Sequence, residues 1–336
     1  KPGPMRHYAD SLNRGISARM DEWGAGDMQF YPAIKQLTLD LAADSFIGIP
    51  FGPEAEKVNQ AFVDMVQASV APIRRPLPFT KLKKGVDGRA YLVDYFTRET
   101  ERRRAEGGGQ DMFSQFATAE YDDGSLMPVD EVVDHMNFLM MAAHDTITSS
   151  ATSLLWLLAK NPEWQEKLRQ EVEAVTGGTG TDGRPRDLAY EDLGKLELTE
   201  MAFKEALRFV PPVPSMPRRA LREFEYGGYR IPAGTPVGIN IHWTHHSEEY
   251  WDEPEKFDPL RFTPDQVKAR HKYAWVPFGG GAHMCLGLHF AYMQVKILMA
   301  QLLPRYRVEL ADGDPEWQAW PIPKPKDGLK IRLTAL

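Results

Sequence analysis

One thiol occurs in the 336 residues, Cys285, and it stands in the stretch Phe278-Gly279-Gly280-Gly281-Ala282-His283-Met284-Cys285-Leu286-Gly287. Three consecutive glycines let the backbone reach positive φ and approach another object closely. A helical stretch follows, from about Leu286 to Leu303, so the sulfur is expected at a helix N-terminus. There, free N–H groups and the helix dipole favour a thiolate. Such a loop can present a metal ligand or a nucleophile. A buried packing cysteine is the plainer reading, and the loop pattern alone leaves all three open. Asp145-Thr146 is the second chemical pair. A threonine inside a helix can donate back to the carbonyl four residues earlier, here Ala142, bending the helix and opening room beside it. The neighbouring carboxyl group can relay protons from solvent. Glu205 and Arg208 form the third group, three apart on one helical face, a spacing most often seen in exposed ion pairs. His242, His245 and His246 lack a carboxylate pattern nearby and have Trp243 between them. They read as a partly exposed helix start rather than a metal site.

Helical periodicity must position most of these groups. Tyr8, Leu12, Ile16 and Met20 form one apolar stripe between Met5 and Trp23, and Ile34, Leu37, Leu41 and Phe46 form another between Pro32 and Ile47. Further helices are predicted over 54–70, 86–105 and 110–119, separated by Pro72, Pro76 and Pro78 and then by Gly107-Gly108-Gly109. Pro128 stands at the head of a stretch free of Gly and Pro as far as Lys160. This predicts one helix of roughly 30 residues, against a usual length of about 11–12, and it carries Asp145 and Thr146. Asn161-Pro162 opens another helix ending near Thr176. Gly177 to Asp187 is read as a surface loop, and the helix from about Glu197 to Phe209 carries Glu205 and Arg208. Pro211-Pro212-Val213-Pro214 then forces an extended path. Phe224 to Ile231 reads as a hairpin around Gly227-Gly228, and Pro236 to Ile241 as a strand. Residues 250–284 are aperiodic, and long irregular stretches inside compact domains tend to be functional. The fold class is mainly α with a small β part: 1–220 mostly helical, 221–285 hairpin and meander, 285–336 a last helix and C-terminal strands.

Apolar residues at 43% and charged residues at 26% describe a globular chain. The net charge of −7 excludes the basic footprint of general nucleic-acid binding, so no nucleic acid is expected as a partner. A single cysteine excludes an intrachain disulfide framework. The most apolar stretch, Phe138 to Ala159, contains His144 and Asp145 in mid-span and is a poor membrane helix. Lys1-Pro2-Gly3-Pro4 leads into an amphipathic stretch rather than a signal peptide. A soluble, cytoplasmic protein is expected.

Phe-x-x-Gly-x-His-x-Cys-x-Gly, with Phe278, Gly281, His283, Cys285 and Gly287 in register, resembles the haem-binding loop of cytochromes P450, where the His283 position is more often Arg. Other segments of that family follow in its order. Ala142-Ala143-His144-Asp145-Thr146 resembles its oxygen-activation segment, with Ala143 where Gly is usual. Glu205-Ala206-Leu207-Arg208 resembles its Glu-x-x-Arg helix, and Phe257-Asp258-Pro259-Leu260-Arg261-Phe262 resembles the meander segment that supplies a second Arg. The resemblance implies a cytochrome P450 fold, a long central helix over haem, and haem b (iron protoporphyrin IX) as cofactor. It makes Cys285 the iron ligand and places His283, Arg219, Phe278, Gly281, Gly287 and Ala142 at the haem. Arg219 is preferred over Arg218 by spacing to the hairpin glycines, as a propionate partner. Glu205, Arg208 and Arg261 become a buried structural cluster holding the cysteine loop.

The implied activity is monooxygenation: hydroxylation of a hydrophobic small molecule with O2, Asp145 and Thr146 supplying protons. Phe138, Ala142, Ala143, Val213 and Met216 are the implied pocket walls. No flavin or nicotinamide fingerprint of the Gly-x-Gly-x-x-Gly type is expected in the chain, so electrons are expected from a separate ferredoxin- or flavodoxin-type donor. The rival readings are a peroxygenase or isomerase on the same fold, a non-catalytic haem sensor, and a cysteine-nucleophile hydrolase. By the same resemblance, residues 1–336 form a single domain. Its first helix sits well inside the family's order, so roughly the first hundred residues of that architecture are expected to be missing.

Overall fold

The computed structural model describes residues 2–50 and 52–336, with Pro2 by its backbone only. It contains two compact units. One comprises Lys1–Gly24, Pro32–Thr148 and Asp187–Leu193; the other comprises Ala25–Tyr31, Ser149–Arg186 and Gly194–Leu336.

The first unit is helical. Helix α1 (Pro2–Trp23) buries Tyr8, Leu12, Ile16 and Met20 along its predicted stripe. Burying an aliphatic side chain of this size contributes about 1.5–3 kcal/mol. Helix α2 (Phe30–Ala42) continues into a π-helical turn, Ala43–Ile47, which Gly48 closes at φ +72°. Helices α3 (Pro53–Ser69) and α4 (Lys81–Glu106) lie against each other. Their close approach depends on glycine: a Cβ on Gly85 would stand 2.2 Å from Ala68 Cβ, and one on Gly88 would stand 2.5 Å from the Ala61 carbonyl oxygen. Helix α5 (Met112–Ala117) is capped by Asp111, which accepts from the Ser114 N–H at 2.9 Å. The long helix expected from the absence of Gly and Pro is α6 (Val129–Lys160), with Asp130 and Glu131 in its first turn where the helix dipole favours them. The boundary between the units falls inside it, after Thr148.

The second unit holds the β structure. Strand β1 (Gly26–Gln29) pairs antiparallel with the C-terminal strand, so that Gly26 faces Leu333 and Met28 faces Ile331. Helix α7 (Pro162–Thr176) and helix α8 (Glu197–Phe209) precede β2 (Ser215–Arg219). The hairpin is β3 (Phe224–Tyr226) and β4 (Tyr229–Ile231), and β5 (Pro236–Asn240) pairs antiparallel with β2. Helix α9 (Ile241–His246), helix α10 (Pro264–Ala269) and the meander lead to α11 (Leu288–Leu302). Residues Met293 to Leu302 of α11 are all buried, Gln294, Lys296 and Gln301 among them, and Lys296 pairs with Glu200 at 2.6 Å. Strands β6 (Tyr306–Leu310), β7 (Trp317–Gln318), β8 (Lys324–Pro325) and β9 (Lys330–Ala335) complete the chain, with the sheet order β1-β9-β6. Ile331 and Leu333 are buried while Arg332 stays out and pairs with Asp27 at 2.6 Å, the alternation of a half-buried strand.

Contrary to the expectation that no such spacing occurs, Gly178, Gly180 and Gly183 have the spacing of a dinucleotide fingerprint. They lie in the loop after α7, however, where the Gly180 N–H donates to the Arg184 carbonyl at 2.8 Å. The strand-to-helix turn that gives such glycines their function is absent there. Among the described residues, no helix is long and apolar enough to cross a membrane.

Candidate active site

The first cluster lies on α6. Thr146 Oγ1 donates to the Ala142 carbonyl at 2.8 Å. Asp145 beside it is held from another element: Lys35 Nζ, on α2, stands 3.2 Å from Asp145 Oδ1. His144 is 2% exposed and packs edge-on against Phe62 with ring centroids 6.0 Å apart. Its Nδ1 is 3.3 Å from Asp145 Oδ1, without hydrogen-bond alignment. Burial pushes the imidazole down to about 4, the Asp145 charge opposing and the Lys35 charge assisting, so His144 is neutral at neutral pH. The segment thus offers a half-exposed carboxylate paired to an ammonium, a hydroxyl beside it, and a neutral imidazole behind. Phe138 is exposed, as is Ala142, and Ala143 is half-buried.

The cysteine loop belongs to the second unit. The Cys285 N–H donates to the Phe278 carbonyl at 2.9 Å, drawing residues 278–285 into a closed turn. Within it, Gly279 and Gly281 adopt φ +72° and +66°, conformations that glycine reaches without strain. Helix α11 begins at Leu288, with Gly287 as its N-cap, rather than near Leu286. Cys285 therefore stands on the loop before the helix, not in its first turn, because Gly287 carries no helical φ/ψ pair and starts the helix later. Phe278 is half-buried between Trp275 and Tyr292, with centroids at 6.2 and 5.6 Å. Cys285 and His283 are exposed, and so are Met284 and Leu286.

The predicted charge cluster ties α8 to the meander at Pro254 and Asp258. Glu205 and Arg208 are both fully buried. Arg208 donates to Glu205 from Nε at 2.8 Å and from Nη2 at 2.9 Å, and to the carbonyls of His245 at 2.9 Å and Pro254 at 2.7 Å. Glu205 also accepts the Asp258 N–H at 3.0 Å, and Arg261 Nε lies 3.4 Å from it. Two members escaped the sequence reading. Arg270 lies 3.9 Å from the Trp251 ring centroid and donates to the Arg261 carbonyl at 2.7 Å. His245 is fully buried rather than partly exposed, its Nε2 accepting the Val276 N–H at 3.1 Å and so tying α9 to the segment before the loop. Burial holds the His245 imidazole down at about 3.

Strand β2 separates the two candidate propionate arginines. Met216 and Arg218 share its half-buried face, while Arg219 projects from the other, exposed face. Met216 lies beside the cysteine loop, its Sδ 3.6 Å from where a Gly279 Cβ would stand. Val213, just before the strand, is exposed. Arg218 therefore shares the strand face of Met216, and Arg219 the opposite one, since a one-residue step in a strand reverses the face.

The donor set fits a haem. One exposed thiol projects from a closed loop, and the positions a Cβ would take on Gly280 and Gly281 have nothing within 4 Å. Apolar Met284 and Leu286 flank it, 50% and 95% exposed. A haem iron asks for one protein ligand of this kind and a flat apolar approach.

Residues 25–330 match the family model described as cytochrome P450, and the chain belongs to that family. It is 39% identical over 97% of its length to a Mycobacterium tuberculosis protein named as cytochrome P450 136, of which it spans 66%. It is 28% identical over 98% of its length to cytochrome P450 26A1 of Gallus gallus. Among solved structures, the retinoic acid-bound cyanobacterial CYP120A1 superposes with a TM-score of 0.89 at 28% identity, covering 100% of this chain and 76% of that one. The haem domain of cytochrome P450DA, at 21% identity and a TM-score of 0.87 over 99% of this chain and 73% of its own, shares the fold. The fold is the cytochrome P450 fold, mainly α with a small β part, and proteins of this family bind haem b through a cysteine thiolate.

Proposed function

We propose that the protein is a haem-thiolate monooxygenase that hydroxylates a hydrophobic small molecule, taking O2 and electrons from a separate ferredoxin- or flavodoxin-type donor. The observation that carries this reading is the lone exposed thiol of Cys285 on a closed glycine loop, in a chain of this family. When bound, haem b supplies the binding and reductive activation of O2 at an iron whose thiolate ligand favours O–O cleavage. Cys285 is the proposed ligand. His283 and Arg218, with Arg219 as the alternative, are proposed to donate to the propionates. Phe278 supports the loop from behind, and Gly281, Gly287 and Ala142 leave room for close approach.

The remaining residues handle protons and position. Thr146 Oγ1, anchored on the Ala142 carbonyl, is proposed to hold a water for proton transfer, and the Asp145 carboxyl group to exchange protons with solvent. Lys35 orients that carboxylate. Glu205, Arg208 and Arg261 hold the meander that carries the loop. Phe138, Ala142, Ala143, Val213 and Met216 are the proposed substrate contacts, all apolar. The retinoic acid bound to the cyanobacterial neighbour supports an apolar substrate class.

The test is the absorption spectrum of the reduced protein with carbon monoxide. A strongly red-shifted Soret band is expected, and Cys285→Ser should abolish it. Persistence of the band in that variant overturns the ligand assignment. Product formed with peroxide alone, and none with an electron-transfer system, overturns the reductive reaction.

A further inference from the structure

His144 is a buried titratable group that the proposed reaction leaves without a task. Its side chain is 2% exposed, and neither ring nitrogen makes a hydrogen bond among the described residues. Burying an imidazole unbonded is destabilising, whereas a leucine would pack against Phe62 with no polar atom left over. The ring's position shows what it faces. Its Nδ1 lies 3.3 Å from Asp145 Oδ1, the same oxygen that Lys35 Nζ approaches at 3.2 Å.

A clasp between two helices fixes this convergence. The buried hydroxyls of Thr38 on α2 and Thr148 on α6 meet at 2.8 Å. Thr38 Oγ1 also stands 3.0 Å from the Lys35 carbonyl, and Thr148 Oγ1 stands 2.9 Å from the His144 carbonyl. The register of α2 on α6 is thus set at the two residues whose side chains approach Asp145. Phe62, on α3, closes a further side of the ring, with centroids 6.0 Å apart. Asp145 and Lys35 are the charges that reach the imidazole, and Phe62 brings none. Burial keeps the ring neutral at neutral pH, so it carries one N–H. The carboxylate beside Nδ1 favours the proton on that nitrogen.

We propose that His144 is a positioning residue for the Asp145 carboxylate. A small turn of the carboxyl group brings Oδ1 into line with the Nδ1–H, which then holds it while Asp145 exchanges a proton. Lys35 cannot do this alone, because its ammonium ends a flexible four-carbon stem and moves with it. The imidazole is fixed by its packing among α2, α3 and α6, so a bond to it defines where the carboxylate stands. The inference deepens the proposed reaction and rests on Asp145 handling protons in it.

Two variants separate positioning from packing. In His144→Asn an amide N–H can stand where the Nδ1–H does, whereas His144→Leu fills the space without a donor. Packing alone favours Leu, which leaves no buried polar atom unbonded; positioning favours Asn. The first readout is nitrogen NMR of isotope-labelled histidine in the haem-loaded, reduced, carbon monoxide-bound protein. His144, identified by the signal lost in His144→Asn, should be neutral with its proton on Nδ1, and Asp145→Asn should shift that signal. The second is oxygen consumption driven by photoreduced deazaflavin, which needs neither a substrate nor the natural electron donor. The rate should fall about tenfold in His144→Leu and in Asp145→Asn, and His144→Asn should restore it. A proton on Nε2, a cationic ring at neutral pH, or a signal indifferent to Asp145→Asn overturns the inference. So does a rate lost in Asp145→Asn but kept in His144→Leu, and this outcome leaves the proposed reaction standing. A rate unchanged by Asp145→Asn itself overturns the proton role of Asp145 in that reaction, and the inference with it.

Discussion

Replacing Glu205 by Gln removes the carboxylate that, among the described residues, pairs with Arg208 and Arg261. Glu205 and Arg208 have no exposed side-chain surface, whereas Arg261 retains 11%. Arg270 senses the same carboxylate: burial pushes its guanidinium down to about 10, with Glu205 holding it up and Arg261 and Arg208 pressing it lower. Without the carboxylate charge, Arg208 stays buried against carbonyl dipoles, and three positive groups repel one another. Breaking a buried ion pair by removing one partner costs about 3–5 kcal/mol. At roughly 2–4 °C per kcal/mol for a chain of more than 150 residues, the melting midpoint should fall by roughly 6–20 °C. Gln keeps hydrogen-bond acceptance and belongs at the low end; Glu205→Ala belongs at the high end.

Geometry also orders the neighbours. Arg261→Gln should cost about 1 kcal/mol or less, since that side chain reaches solvent and meets Glu205 only at 3.4 Å. Arg208→Met should fall between, because it leaves Glu205 with the Asp258 N–H and Arg261 as partners. The assay is thermal unfolding followed by circular dichroism, on each single variant and on Glu205→Ala/Arg208→Met. The double variant should cost less than the sum of its singles by about 2 kcal/mol, within the range measured for directly bonded pairs. Costs that add to within about 0.5 kcal/mol, or a Glu205→Gln variant as stable as the parent, would refute the paired-charge reasoning.

Two other substitutions separate competing effects. Gly88→Ala would gain about 1 kcal/mol of helix propensity in an exposed helix. Here the added Cβ meets the Ala61 backbone oxygen at 2.5 Å, and overpacking of about 1–3 kcal/mol should win; a raised urea midpoint would show that α3 and α4 yield instead. His144→Leu probes the pH profile. The unfolded chain binds a proton near the ordinary value of 6.5, while the folded imidazole waits until about 4. Stability from this group is therefore complete above pH 6.5 and is lost as pH falls from 6.5 toward 4. The Leu variant should show a shallower fall in urea midpoint across that window, leaving the part due to His245, and an unchanged slope would rule out a neutral buried His144.

What the sequence made legible was what lies within one contiguous segment. The absence of Gly and Pro up to Lys160 translates directly into the length of α6, and Phe278 to Gly287 contains every residue that closes the cysteine loop. Threonine chemistry likewise reached the Ala142 carbonyl, because a helix always sets that partner four residues back. Partners across the fold were out of reach. Lys35 is 110 residues from Asp145, and nothing in α2 distinguishes it from a solvated surface lysine. Arg270 carries only a weak signal, a cation among the aromatic residues Trp251, Phe262 and Trp275. One-residue ambiguities were decided by tertiary context as well. In β2 a single step separates Arg218 from Arg219 and selects opposite faces, and at α11 a glycine cap moves the helix start from about Leu286 to Leu288. Spacing therefore identifies which groups the chemistry needs. Which cation balances a carboxylate, and which face an arginine takes, depends on elements that the linear pattern does not connect, so Lys35, Arg218 and Arg270 are the residues at which mutagenesis adds most to the sequence reading.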